Sequence, residues 1–203
     1  AFLFRGQGEN NRSWYKVSLP HMDTTRLLDG QVLHFQGKDL EVTGLSLSES
    51  GDKVLIQTDR EKIWRYSHWG TYYVYDLKKK RLSALGRDPR RLRNAKLSPN
   101  GQFVAYVRED NNLYTFEIDK GRERKLTNTG SETILNGHFG WLYEEELTGY
   151  DAYRWSPDSR YIAFWQEDQS PVREYSLIDE LGLYPVVQKI RYPKAGETNP
   201  TVK

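Results

Sequence analysis

The chain has 203 residues, 30 Lys and Arg against 28 Asp and Glu for a formal charge of +2, and 13% aromatics including 6 Trp and 14 Tyr. That length holds one large domain or two small ones with a sizeable core, and the near-neutral balance gives no reason to expect nucleic acid or another polyanion as partner. With no cysteine, disulfides, thiolate catalysis and zinc ribbons are excluded, although an oxidising compartment is not.

The start, AFLFRGQGENNRSW, lacks the apolar core and small-residue cleavage site of a leader peptide. No apolar run approaches the ~20 residues that span a bilayer. The stretch is therefore expected to be soluble, as a mature or trimmed chain would also be. Asn11-Arg12-Ser13 is a formal glycosylation sequon.

From Ser13, SWYKVSLPHMDTTRLL reads as a strand pair and resembles the second half of a unit that recurs downstream. SESGDKVLI from Ser48 opens the first complete copy, SPNGQFVAY from Ser98 the next and SPDSRYIAF from Ser156 the last, with starts 50 and 58 positions apart. Each is a turn running into a β-branched and aromatic strand, and the spacing is that of propeller blades rather than helical repeats. YYVYDLKKKRL (72–82) and NLYTFEIDKGRERKL (112–126) supply the following strand and a charged hairpin tip. The expected fold is all-β: four consecutive four-stranded units, the first incomplete. Propellers avoid exposed sheet edges by closing radially, so the chain is expected to be a piece of a larger propeller. The tip Lys78, Lys79, Lys80 and Arg81 reads as a solvated hairpin. Arg87, Arg90, Arg91, Arg93 and Lys96 read as a surface connection between blades rather than a phosphate track.

Between Thr127 and Trp155 lie about 28 residues, more than adjacent blades need. The surplus contains WLYEEELTGY (141–150), with good helix formers ending at Thr148 and Gly149, which predicts one or two helical turns and a glycine stop. Three consecutive acids cannot share a helix face, since neighbours project ~100° apart, but two can flank one small ligand. Two readings stay open from pattern alone: an acid-rich helix end in solvent, or a socket for a cation such as an ammonium, whose three donors suit two carboxylates.

WLYEEEL, then YRWSPDSRYIAF and YPKAGETNPTVK (192–203), resembles the propeller domain of the dipeptidyl peptidase IV family of serine exopeptidases, over about Trp64 to Lys203. The resemblance implies about four blades of an eight-bladed propeller with a short inserted helix. It also implies that Glu145 and Glu146 bind the free α-ammonium of a peptide substrate. WRYSHWGTYYVYDL (64–77) is similar to the family stretch that gives an arginine to the substrate's peptide carbonyl, a role that maps onto Arg65; the plainer alternative is an edge arginine lying over Trp64 or Trp69. The family commonly has an acid before the helix tryptophan, where this chain has Gly140. The stretch from Glu167 onward resembles an arm that helps members dimerise, so a homodimer is expected.

Family members carry a Ser-Asp-His triad on an α/β-hydrolase domain C-terminal to the propeller, with the serine in a Gly-x-Ser-x-Gly elbow. No such elbow occurs in this sequence: GLSLS (44–48) ends in serine where glycine is needed. His21, His34, His68 and His138 have no metal-ligand spacing and are assigned to packing or surface, and no cofactor is implied. The stretch is expected to bind peptide substrates with a free N-terminus and to depend on that C-terminal domain for cleavage. The activity implied is removal of X-Pro or X-Ala dipeptides. The alternatives are a non-enzymatic propeller scaffold and a tripeptidyl peptidase of the same family. The cysteine-free composition fits a periplasmic or otherwise extracytoplasmic location.

Overall fold

The computed structural model describes residues 2–7 and 12–203; Asn11, the acceptor of the sequon, lies outside them. Strands β1 (Phe2–Arg5), β2 (Trp14–Ser18) and β3 (Asp23–Leu28) form a three-stranded antiparallel sheet. A small hairpin, β4 (His34–Phe35) and β5 (Lys38–Asp39), follows. Two four-stranded meanders come next: β6 (Gly44–Leu47), β7 (Lys53–Lys62), β8 (His68–Asp76) and β9 (Arg81–Ala84), then β10 (Arg93–Leu97), β11 (Phe103–Val107), β12 (Leu113–Glu117) and β13 (Arg122–Lys125).

Side-chain alternation explains why these sheets stack. On β7 and β8, Val54, Ile56, Tyr73 and Tyr75 pack toward the first sheet with Leu28, Leu33 and Leu40. The intervening Leu55, Tyr72 and Val74 pack toward the third sheet against Val104, Tyr106 and Phe116. On β11 the pattern repeats one sheet further on, where Ala105 and Val107 meet Leu113 and Tyr153. A middle strand covered on both faces buries every residue from Gly70 to Asp76, and its centre, Tyr72 to Tyr75, reads as an unbroken aromatic and apolar run instead of an alternation.

The three recurring turns share one device. Ser48, Ser98 and Ser156 each accept, on Oγ, the backbone amide hydrogen five positions on, from Lys53, Phe103 and Tyr161, at 3.1, 3.0 and 2.9 Å. The left-handed position of each turn falls on Gly51, Gly101 and Ser159, with φ of 73°, 69° and 62°. In the third turn a hydroxyl replaces glycine, and Ser159 Oγ accepts the Asn100 amide of the neighbouring turn at 3.0 Å. Ser50 N–H reaches Pro99 O at 3.1 Å in the same way. The turns are thus laced side by side along one end of the sheets.

The fourth unit departs from the expected four-stranded blade. β14 (Ile134–Asn136) and β15 (Tyr153–Trp155) pair with two halves of one run, β17 (Gln166–Asp168) and β16 (Ile162–Phe164), which meet at Trp165. The helix α1 (Trp141–Leu147) lies between β14 and β15, so it interrupts what would otherwise be a single partner strand. The interruption is closed at its neck: Gly137 N–H donates to Trp165 O, Trp165 N–H to Ala152 O and Ala152 N–H to Gly137 O, at 3.0, 2.9 and 3.2 Å. Beyond β17 the chain forms a separate hairpin, β18 (Glu174–Asp179) and β19 (Val186–Arg191), before β20 (Thr201–Val202) returns to pair with β17.

Candidate functional site

The site is built where α1 meets the loop joining β7 to β8. That loop closes by Ile63 N–H donating to Ser67 O at 3.0 Å and carries Arg65 and Tyr66 outward. Gly140 precedes α1 and donates its N–H to Glu167 Oε2 at 2.8 Å. A Cβ there would lie 1.7 Å from Gln169 Nε2, so any side chain at this position forces Gln169 to move. The acid that the family has before the tryptophan is absent, and a buried carboxylate from β17 meets the start of the helix instead. Burial raises the Glu167 pKa, against the opposing hydrogen bonds from Gln169 and Gly140. At the far end Thr148 takes the left-handed conformation with φ 54°, and Gly149 N–H returns to Tyr143 O at 2.9 Å. The stop therefore falls on Thr148 rather than on the glycine.

The three acids have three different environments. Glu144 is fully buried, and its Oε1 accepts the amide hydrogens of Tyr66 and Ser67 at 2.7 and 2.8 Å. Glu145 is 17% exposed and its Oε2 receives Arg65 Nε at 2.6 Å. Glu146 is exposed and has no ionic or hydrogen-bond partner among the described residues. The helix thus turns its first acid inward as an anchor, its second sideways to a guanidinium and its third to solvent. Arg65 is itself 64% exposed, and the Glu145 hydrogen bond raises its pKa. It does not lie over Trp69; that ring is covered by Arg91 and Arg93 at 5.4 and 5.5 Å. Beside Arg65, the Tyr66 ring stacks on Tyr150 with centroids 6.1 Å apart.

Of the supposed surface cluster, Arg93 is interior and Lys96 is half-buried. Arg93 is 4% exposed, with its pKa lowered to about 10 by burial against the pull of Glu144. Lys96 binds Asp151 and the Tyr153 carbonyl and lies 3.6 Å from the Tyr153 ring centroid. Burial holds its pKa down to about 8, opposed by Asp151. Arg90 and Arg91 stay at the surface, paired with Asp88 and with Glu61 and Glu109. Lys78 to Arg81 are exposed as expected. His138 is buried, with Nε2 2.9 Å from Asn111 Oδ1 and its pKa driven well below the usual value by burial; His21 and His34 are exposed, and His68 is half-buried.

Residues 48–203 match the family described as the dipeptidyl peptidase IV (DPP IV) N-terminal region. The chain belongs to the dipeptidyl peptidase IV family. Its similarity to dipeptidyl aminopeptidase B of Saccharomyces cerevisiae is 38% identity over 180 residues, 86% of this chain and 22% of that protein. Dipeptidyl peptidase 4 of Felis catus is 36% identical over 167 residues, 80% of this chain and 22% of that protein. Among solved structures, Porphyromonas gingivalis dipeptidyl peptidase 4 superposes with a TM-score of 0.80 at 29% identity, over 94% of this chain and 29% of that one. The chain spans about a fifth of the length of the curated relatives it matches. Its stacked sheets are blades of the family's N-terminal β-propeller, unclosed in this stretch.

Proposed function

We propose that this chain is the substrate-recognition part of a serine-type dipeptidyl peptidase that releases X-Pro or X-Ala pairs from peptide N-termini, with Glu145 and Glu146 receiving the substrate α-ammonium. The observation that carries the reading is the 2.6 Å contact between Arg65 Nε and Glu145 Oε2 beside the exposed Glu146. One carboxylate is fixed by a guanidinium, and its neighbour in sequence is unengaged among the described residues. An ammonium offers three donors; Glu145 Oε1 and both Glu146 oxygens are acceptors without other partners among the described residues. The Arg65 terminal nitrogens are likewise unengaged there and suit a peptide carbonyl. A receptor for a charged chain end makes the enzyme an exopeptidase, because only a first residue carries that ammonium. The distance from receptor to nucleophile then sets the length released. The relatives' names, dipeptidyl aminopeptidase B and dipeptidyl peptidase 4, support the dipeptide.

In this reading the nucleophile belongs to a C-terminal α/β-hydrolase domain of the same protein. The β18–β19 arm, whose Leu181, Leu183 and Tyr184 are 98%, 93% and 79% exposed, is the surface for a second copy. Steady-state kinetics on the full-length protein test the receptor. Glu145→Gln and Glu146→Gln should each lower kcat/KM on a Gly-Pro substrate by at least ~10²-fold, the scale of ~3 kcal/mol of charged contact. N-acetylating the substrate should be as damaging. Variants that cleave like wild type would refute the assignment.

A further inference from the structure

Arg93 opens the first strand of the third sheet, and its Nε and Nη2 are buried and donate to nothing among the described residues. A guanidinium withdrawn from water is costly unless a counter-charge faces it. The carboxylate that answers it is Glu144: its Oε2 is likewise buried and without a partner among the described residues, and its charge is the foremost influence opposing what burial does to Arg93. No direct ion pair joins the two among the described residues. Arg93 borders a cavity of about 210 Å³ that it shares with His138, with Gly140 and Trp141 at the start of α1, and with Trp64 next to Arg65. Other nearby cations are already engaged, Lys96 by Asp151 and Arg91 by Glu61 and Glu109. Burial drives the His138 pKa well below its usual value.

We propose that Arg93 is a positioning residue of the ammonium receptor. Its charge holds the buried Glu144 carboxylate in place, and Glu144 in turn fixes α1 to the 63–67 loop, so that Glu145, Glu146 and Arg65 face one ligand. The assignment rests on the receptor reading of Glu145 and Glu146 and adds a residue that never touches substrate.

The test is steady-state kinetics of the full-length protein on a Gly-Pro substrate. Arg93→Met should raise KM about tenfold while kcat changes less than about threefold, the pattern of weakened binding without altered chemistry. Arg93→Lys keeps the charge and should recover most of the loss. In a Glu144→Gln background, where no carboxylate remains to hold, Arg93→Met should raise KM by less than about threefold, since residues acting through one another are non-additive. The proposal is overturned if Arg93→Met keeps the wild-type KM. It is equally overturned if Arg93→Lys is as impaired as Arg93→Met and the increments in the two backgrounds are equal, as a packing role would give. Should Arg93→Met fail to fold, Arg93→Lys decides: a near wild-type KM supports the charge role, and a KM raised equally in both backgrounds overturns it. Glu145→Gln separates the two levels. If it leaves KM unchanged the receptor reading fails, and if it raises KM while Arg93→Met does not, only the role of Arg93 falls.

Discussion

The Glu144 carboxylate accepts the backbone amide of Ser67 at 2.8 Å across 77 positions of sequence. The same oxygen takes the amide of Tyr66, so one acid joins the helix bearing Glu145 and Glu146 to the loop bearing Arg65.

Removing that joint should cost both stability and activity. Glu144→Ala strands the buried Ser67 amide and that of Tyr66, a loss of about 2–4 kcal/mol for a buried charged acceptor. Glu144→Gln retains an acceptor oxygen and should lose markedly less. Denaturant unfolding of the full-length protein, followed by a signal from the propeller, checks the order.

Arg65 should behave in the opposite way. An exposed ion pair adds little to stability, so Arg65→Met should leave the melting temperature within about 2 °C while lowering kcat/KM by about 10-fold or more. A melting point that falls with activity would make Arg65 a structural residue.

Gly140 is the third case. Its would-be Cβ meets the end of the Gln169 side chain, so Gly140→Ala should destabilise by about 1–3 kcal/mol through overpacking. Gln169→Ala, added to it, should restore part of the loss. Thermal unfolding of the two single variants and the double variant reads this directly.

Lys96 sets a pH dependence. Its folded pKa of about 8 lies below the ordinary 10.5, so between those values the unfolded chain binds the extra proton and stability rises with pH. Below pH 8 the full penalty of the buried charge is present. Relative to Lys96→Met, which has no such group, the wild-type protein should gain stability from pH 8 to 10.5, measured as the difference in melting temperature across that window.

Much of the propeller was legible in the sequence because its signals are local. The Ser-Pro-Asn-Gly turn beginning at Ser98 and the aromatic strands after it need only neighbours to be read, and the recurrence at Ser48, Ser98 and Ser156 supplied the blades. The fourth blade was misread for the same reason. SPDSRYIAF forms its turn and strand as expected, but nothing in those residues tells that β16 runs on into β17 or that a split strand pairs with the two. The acid run was half legible. Pattern could say that the three acids do not share one face and that two can flank one ligand, but the inward turn of Glu144 depends on amides 77 and 78 positions away. Arg93 and Lys96 were read as solvated because basic clusters usually are. The burial of Arg93 and the partial cover of Lys96 come from residues distant in sequence, among them Trp69, Asp151 and Tyr153, a long-range fact with no local trace.

The three hydrogen bonds at Gly137, Ala152 and Trp165 make the helical excursion a detour that starts and finishes at one spot on the blade. The strand behind it keeps its pairing with β14 and β15 on either side of the detour, and one acid of that strand, Glu167, reaches back to the detour at Gly140. The fixed points along residues 138–151 are therefore Gly140 and Glu144, whose contacts reach β17 and the 63–67 loop, whereas the exposed Glu146 and Leu147 side chains can change without disturbing the blade's pairing.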